Sequence, residues 1–334
     1  MSRRAQFAAI LLAVTFLTSL LCHGVARLLH MRQNLVDRAR IEPDTPGAPV
    51  LVTGSSLTFF GVSWREISHR IQRPLVTRSV GGASPCELET LALEVPEAAR
   101  VVIGVSIFDL NENNLSDSRA NLVPLSRTLG DIRRSGADWS YKKRVIWSYP
   151  LPWVQRVFPV AGRSTEIMVG VREIGRTLLH RAPAAESTGE ARLTFKTDED
   201  AGRPEKLSDW DVGRVKRNLS QLRATGIASS RFDGPKSLAL ERILTAPNRT
   251  ETPMVLVFPV SPPYREAFAD ASAVASFEAA LQRLRERVPN VLIVRLDHDP
   301  ALQPAEVYWD LVHLNNDGRK IATRLIADSL TAAR

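Results

Sequence analysis

The feature that most constrains the fold of this chain is a series of five short, largely apolar runs. They cover residues 49–53, 74–80, 100–105, 253–260 and 290–296. Strands that are apolar along their whole length are typical of parallel sheets, which are covered by helices on both faces. Helical patterns accompany the runs at residues 85–96, 267–288 and 318–333. The alternation predicts an α/β fold, a three-layer α/β/α sandwich with a five-stranded parallel sheet.

A long segment, residues 115–252, separates the third apolar run from the fourth. A connection of that length must carry structure of its own. In its second half, apolar side chains recur at helical spacing and predict a helix packed against the core. They are Trp210, Val212, Val215, Leu219 and Leu222. We therefore expect one α/β domain over residues 49–334 with a long helical insertion.

Two short motifs at opposite ends of this domain carry candidate chemistry. Gly54-Ser55-Ser56 ends the first apolar run, and Asp310-Leu-Val-His313 lies near the C-terminus. A serine on the turn after a first strand can act as a nucleophile. A late Asp-x-x-His pair can supply its base and the group that orients the base. Ligands of open parallel sheets bind beyond the carboxyl ends of the strands, where Ser56 and Asp109 fall. The pattern favours acyl transfer.

These motifs resemble the sequence blocks of the SGNH (GDSL-like) hydrolase superfamily. Gly54-Ser55-Ser56 is similar to the first block, in the GSS variant of membrane-anchored envelope members such as teichoic-acid D-alanylation and alginate O-acetylation proteins. Residues 80–84 are similar to the second block and residues 308–315 to the last. In the third block, the position of the family's asparagine falls near Phe108, and Asn111, Asn113 and Asn114 follow.

The resemblance implies a flavodoxin-like sheet and a role for each matching residue. Ser56 would be the nucleophile, His313 its general base, and Asp310 the group that orients the imidazole. Backbone N–H groups of Ser56 and Gly82 would stabilise the oxyanion, with Asn111 as a further donor. Asp109 would brace the serine turn. No cofactor is implied, and no His/Cys/Asp cluster shows metal-ligand spacing.

The resemblance also implies a substrate class, an O-acyltransferase or esterase of a cell-envelope or exopolysaccharide glycan, with a polytopic membrane acyltransferase as a partner. An excess of basic residues fits an acidic polymer: residues 127–181 hold eleven Lys/Arg against four Asp/Glu, in a chain of net charge +8. Aromatic residues interleave with these charges over residues 139–153. No nucleic-acid-binding signature accompanies them. The alternative is a catalytically inactive SGNH-like glycan-binding or scaffolding protein.

The N-terminus has the pattern of a targeting segment. Arg3 and Arg4 precede an uncharged run over Phe7–Cys22. We expect residues 1–30 to form a transmembrane anchor and residues 31–48 a linker, which would put the domain in the periplasm, outside a bacterial inner membrane. The alternative is a cleaved signal peptide, because Gly24-Val25-Ala26 fits a small-x-small cleavage site.

Other interpretations of the same residues stay open. Ser56 could serve as a helix N-cap, and Asp310 with His313 could form a surface ion pair. Residues 297–299, Asp-His-Asp, are a second candidate acid/base cluster. A dinucleotide-binding turn at Gly54 is disfavoured, because the further glycines and the acidic residue that such a turn requires do not follow.

Overall fold

The computed structural model describes residues 3–28, 36–37, 39–41, 47–114, 122–135, 139–150, 154, 157–158, 203–224 and 230–333. The chain divides into two compact units, Met1–Gln33 with Ile146–Thr194, and Asn34–Val145 with Phe195–Arg334. The second unit contains the sheet and every candidate site residue. Trp153, at the end of the aromatic segment, lies outside the described residues.

The second unit has the predicted α/β fold, built on a seven-stranded sheet among the described residues. Its strands are β1 (Val36–Asp37), β2 (Arg40–Ile41), β3 (Val50–Gly54), β4 (Leu75–Val80), β5 (Arg100–Val105), β6 (Met254–Val257) and β7 (Leu292–Arg295). The five strands β3 to β7 are parallel and correspond to the five apolar runs.

The sheet is not purely parallel, which corrects one expectation. β1 and β2 both pair with β4 in antiparallel orientation. They lie within residues 31–48, which the sequence predicted as a plain linker. The outer edge of β4 would otherwise present unpaired N–H and C=O groups, and short antiparallel strands are one way to cover such an edge.

The strand order puts a crevice beside β3. The order is β4-β3-β5-β6-β7 across the parallel part of the sheet. The chain therefore moves from β3 to β4 on one side, then returns past β3 to β5 on the other. Where the direction of progress reverses in this way, the loops leaving the carboxyl ends of the two strands diverge and leave room for a ligand. The turn that carries Ser56 leaves β3 at this point.

Helices of the second unit cover both faces of the sheet. In chain order the helices of the described residues, from both units, are α1 (Arg3–Leu28), α2 (Ser56–Phe60), α3 (Trp64–Ile71), α4 (Pro85–Ala92), α5 (Ile107–Leu110), α6 (Leu125–Arg134), α7 (Trp139–Ser148), α8 (Val212–Ala224), α9 (Pro235–Leu244), α10 (Pro262–Phe268), α11 (Ala271–Arg287) and α12 (Asn316–Ala332). Successive strand residues point to opposite faces. Val50 and Val52 pack with Trp64 in one apolar cluster, and Leu51 packs with Leu88 in the other.

The helix predicted around Trp210 lies at the surface of the core and not within it. Val215, Leu219 and Leu222 are partly buried against the apolar cluster that contains Trp64, as the helical spacing predicted. Val212, however, is 69% exposed. Of the five predicted residues, Val212 is therefore the exception, since Trp210 also packs against the cluster.

The N-terminal segment forms helix α1, but it does not support the predicted anchor. No helix among the described residues combines the length and the apolarity needed to cross a bilayer. The uncharged run over Phe7–Cys22 is 16 residues long and contains Thr15, Thr18 and Ser19, whereas a span needs roughly 20 predominantly apolar residues. The predictions of a transmembrane anchor and of a single-pass inner-membrane location are corrected by this finding.

Two glycines let helix α2 lie close against the sheet. Gly54 and Gly104 are neighbours on β3 and β5. The side chain of Thr58, fully buried on α2, occupies the space above both, so that a Cβ on either glycine would clash with it. Phe258 closes the same space, 2.8 Å from a Cβ on Gly104. The position of α2, and with it that of Ser56, thus depends on these two residues having no side chain.

We predict that Gly104→Ala destabilises the domain by about 1–3 kcal/mol, because the added methyl group overpacks the site. Gly81→Ala is the matched control, since nothing lies within 4 Å of its Cβ and its φ is not positive. Urea unfolding of both variants measures the difference. Equal stability of the two would contradict the close packing of α2.

Candidate active site

Ser56 is the first residue of α2 and follows directly from the turn that ends β3. The preceding Ser55 caps the helix, because its hydroxyl accepts the N–H of Leu57. Ser56 is therefore not the cap, and its own hydroxyl is available for another partner. That partner is His313, whose Nε2 lies 2.8 Å from Ser56 Oγ.

The second contact of His313 is made to Asp310. His313 Nδ1 lies 2.7 Å from Asp310 Oδ2. The other carboxylate oxygen accepts the N–H groups of Val312 and His313, each at 2.8 Å. Burial opposes ionisation of Asp310, but the charge and the hydrogen bond of His313 and these N–H donors outweigh it and lower the pKa of the carboxyl below its ordinary value. With Nδ1 donating to a carboxylate, Nε2 can accept the Ser56 proton.

The structure thus brings Ser56, His313 and Asp310 into one continuous chain of hydrogen bonds. Ser56 and His313 are 257 positions apart in sequence. The surface ion pair considered for Asp310 does not describe its setting, since its side chain is only 20% exposed. This arrangement is that of a nucleophile, a base and an orienting carboxylate.

Gly82 lies after β4, which is the neighbour of β3, at the same edge of the sheet as Ser56. Its φ is +68°, in the left-handed region that L side chains rarely adopt. A Cβ would meet nothing within 4 Å, so the glycine is required by its conformation and not by lack of space.

Asn111 lies in the loop after α5, and its side-chain oxygen serves that loop. The side chain is buried, and Oδ1 accepts the N–H groups of Asn113 at 3.0 Å and of Arg231 at 3.4 Å. Asn113 in turn accepts Nη2 of Arg144 at 2.7 Å. An oxyanion would be bound by the Nδ2 amide of Asn111 and not by its Oδ1, so the expected role of the side chain as a donor stays a prediction.

Asp109 is fully buried below the serine turn. It accepts the hydroxyl of Ser106 at 2.9 Å and is hydrogen-bonded to Ser55, the residue before the nucleophile. Burial raises the pKa of this carboxyl to about 6, although the serine hydroxyls, Lys236 and His313 oppose the shift. Asp109 therefore connects β5 to the cap of α2, as a brace for the turn.

Lys236, which the sequence did not single out, clamps the end of α5 and the loop that follows it. It is fully buried on α9, and its Nζ donates to three backbone carbonyls, of Asp109 (2.8 Å), Asn111 (2.7 Å) and Asn114 (2.6 Å). A lysine within the second half of the insertion carries no local signal for such a role. Only the fold places it against a loop more than a hundred residues earlier.

Aromatic rings enclose the His313 imidazole. Trp309 stacks on it with centroids 5.1 Å apart and an interplanar angle of 20°. Phe60 meets it edge to face at 5.8 Å. Trp309 directly precedes Asp310, and Phe60 lies four residues after Ser56. Their nearness in sequence to the two motifs could have indicated a place in the site. Together the rings limit the rotation of the imidazole.

The second acid/base cluster, residues 297–299, is an ion-pair network centred on Arg295. The guanidinium of Arg295 donates to Glu278, Asp297 and the Nε2 of His298. Ligand atoms of these three residues lie within 4.8 Å of one another. A cation, the guanidinium, already neutralises them, so this cluster does not fit a metal ion. Asp299 caps a short 3₁₀ helix.

A cavity of about 620 Å³ lies elsewhere, between α9 and α11, and is lined by residues such as Arg231, Ser237 and Leu284. Neither Ser56, His313 nor Asp310 lines it. Geometry, and not cavity size, therefore distinguishes the candidate site.

The chain matches no protein-family model, and no curated protein is significantly similar to it. The function must therefore be inferred from the contacts of Ser56, His313 and their neighbours.

We predict that Lys236→Met lowers the free energy of unfolding by about 3 kcal/mol, because three backbone carbonyls, two of them in buried hydrogen bonds, lose a charged donor. Lys320→Met, at an exposed position of α12, is the control and should change stability by less than about 0.5 kcal/mol. Chemical denaturation of both variants gives the comparison. An unaffected Lys236 variant would mean that the loop is held by other contacts.

Asp109 makes stability depend on pH in a defined direction. Its pKa is about 6 in the folded protein, against an ordinary value of 3.8, so between these values the folded state binds more protons than the unfolded state. Its contribution to stability should therefore fall as pH rises from 4 to 7, by about 3 kcal/mol. Asp109→Asn removes this titration. As pH rises from 4 to 7, the unfolding free energy of the wild type should therefore fall by that amount relative to that of the variant. A difference between the two proteins that does not change with pH would contradict the raised pKa.

Proposed function

We propose that this protein is a serine-dependent acyl-transfer enzyme of the SGNH type, an ester hydrolase or O-acyltransferase. The observation that carries the proposal is the chain of hydrogen bonds from Ser56 through His313 to Asp310, at 2.8 Å and 2.7 Å. The strand order gives support. Numbered along the chain, the parallel strands run 2-1-3-4-5, the order of flavodoxin-like three-layer sandwiches, and Ser56 follows strand 1 at the switch point.

The reaction begins when His313 Nε2 takes the proton of Ser56 as Oγ attacks the carbonyl carbon of an ester. The tetrahedral intermediate collapses, and His313 returns the proton to the leaving alcohol. Water or an acceptor hydroxyl then attacks the acyl-enzyme with His313 again as base, which releases the acid or a new ester and restores Ser56. Asp310 holds the imidazole in the required tautomer and stabilises its charged form.

The oxyanion is stabilised in this proposal by backbone N–H groups. Ser56 supplies one from the first turn of α2, and Gly82 supplies another from a loop that its left-handed conformation shapes. Asn111 Oδ1 accepts two backbone N–H groups, and its Nδ2 amide would be a further donor like the family's asparagine. Loss of one donor typically costs about 10²–10³ in rate, so two backbone donors still support catalysis.

The resemblance of the motifs suggests an acylated glycan as substrate. Whether water or a sugar hydroxyl accepts the acyl group decides between hydrolase and transferase. The alternative, an inactive glycan-binding or scaffolding protein, is favoured by one observation, the phenylalanine near the third-block asparagine position. Against it stands the intact Ser56–His313 contact, which a protein without catalysis has no need to keep.

Covalent labelling tests the proposal directly. A fluorophosphonate probe should label the wild-type protein at Ser56, and Ser56→Ala should abolish the label, because the probe requires an activated serine. His313→Ala should slow labelling by about 10²-fold or more, since the base is lost. Ser276→Ala, at an exposed position of α11, is the control and should label at the wild-type rate. Failure of the wild type to label, in a folded sample, would favour the inactive alternative.

A further inference from the structure

A short segment of the insertion, residues 203–207, is strapped to the loop that carries Asp310 and His313. The carbonyl of Arg203 accepts the N–H of Asn316 at 2.8 Å, and the N–H of Leu207 donates to the carbonyl of Tyr308 at 2.7 Å. Between them, Asn315 Nδ2 donates to the carbonyl of Glu205 at 3.3 Å. These bonds fix the backbone of Arg203 relative to the catalytic loop.

The side chain of Arg203 lies over the two rings that enclose the imidazole. Its guanidinium carbon is 5.9 Å from the ring centroid of Phe60 and 5.9 Å from that of Trp309. Both distances are at the outer range of cation–π contacts. The two rings also contact each other and His313. The guanidinium is therefore one aromatic ring away from His313.

The charge of Arg203 is not neutralised by an acidic side chain in the described part of the chain. Asp310 is engaged by His313, and Asp317 lies 3.6 Å from Lys206. Glu205 is on the same strap, but no described ion pair joins it to Arg203, and its Oε2 is buried without a hydrogen-bond partner there. The Nε of Arg203 is likewise buried without a described partner. Positioned arginines with open donors are well suited to carboxylates and phosphates.

We propose that Arg203 recognises an anionic group of the substrate, so that the enzyme acts on esters that carry a carboxylate or phosphate near the scissile bond. The inference rests on the proposed function of Ser56. Arg203 is a specificity-determining residue in this proposal and takes no part in proton transfer. The aromatic rings would contact the apolar part of the same substrate while the guanidinium binds its charge.

A matched pair of esters tests the proposal. The neutral ester 4-nitrophenyl butyrate and the charged ester 4-nitrophenyl hemisuccinate both release 4-nitrophenol on hydrolysis, and their acyl chains are of equal length. Wild type should prefer the charged ester in kcat/KM. Arg203→Met should lower kcat/KM for the charged ester by about tenfold or more and leave the neutral one unchanged, because a charge-assisted hydrogen bond is lost. Arg203→Lys should recover part of the preference.

Lys206→Met is the control, since Lys206 lies on the same strap and faces Asp317. It should keep the wild-type preference. An equal loss on both esters in Arg203→Met would assign Arg203 a structural role and overturn the proposal. So would a wild type that prefers the neutral ester or shows no preference.

Binding separates this inference from the proposed function. Succinate should quench tryptophan fluorescence saturably through Trp309, in wild type and in Ser56→Ala, and more weakly at high salt because the charges are screened. Arg203→Met should lose this response. If the fluorophosphonate label fails but succinate binds through Arg203, the anion site stands without the chemistry. If succinate does not bind to a protein that labels normally, the anion site is wrong.

Discussion

The close contact of helix α2 with the sheet is the constraint on which the rest of the site depends. Thr58 occupies the space above Gly54 and Gly104, and this packing sets the depth at which α2 starts. The hydroxyl of Ser55 caps the helix, and its hydrogen bond to Asp109 anchors the turn. The next residue, Ser56, therefore lies at the mouth of the crevice between β3 and β5. With a longer or more mobile connection after β3, the distance between Ser56 Oγ and His313 Nε2 would not be held at 2.8 Å.

The loop with Asp310 and His313 is fixed by a different means, its own hydrogen bonds. Asp310 accepts two N–H groups of its loop, and an antiparallel bridge between Tyr308 and Leu314 closes the base of the loop. Asn315 then caps α12 by accepting the N–H groups of Asp317 and Gly318. Each half of the site is thus held by its own hydrogen bonds, which supports the 2.8 Å contact between these distant segments.

The parts of this arrangement that follow local rules could be predicted from the sequence. Parallel strands that are covered on both faces must be largely apolar, so the five runs predicted β3 to β7, although β7 is only partly buried. A serine after the first strand and a late Asp-x-x-His marked the catalytic candidates. The antiparallel strands β1 and β2 are two residues each, too short for any periodicity. Lys236 and Arg203 were missed because their contacts are tertiary: a buried lysine and a surface lysine have the same local sequence signature.

The polar groups around this site come from both the α/β core and the insertion. Asp109 and Lys236 lie at the base of the site, where a buried carboxyl with a raised pKa is held beside an ammonium that also binds three carbonyls. Burying such a network carries a free-energy penalty of desolvation. Its structural effect is to define a geometry that apolar packing alone would not specify. At the rim, the strap at residues 203–207 adds a cation and leaves the triad untouched. The insertion therefore contributes to the site in two ways. Lys236 on α9 stabilises the backbone next to Asp109, and Arg203 adds a positive charge beside the rings that enclose His313. In the proposed function, changes at the strap would therefore alter which ester is accepted without moving Ser56, His313 or Asp310.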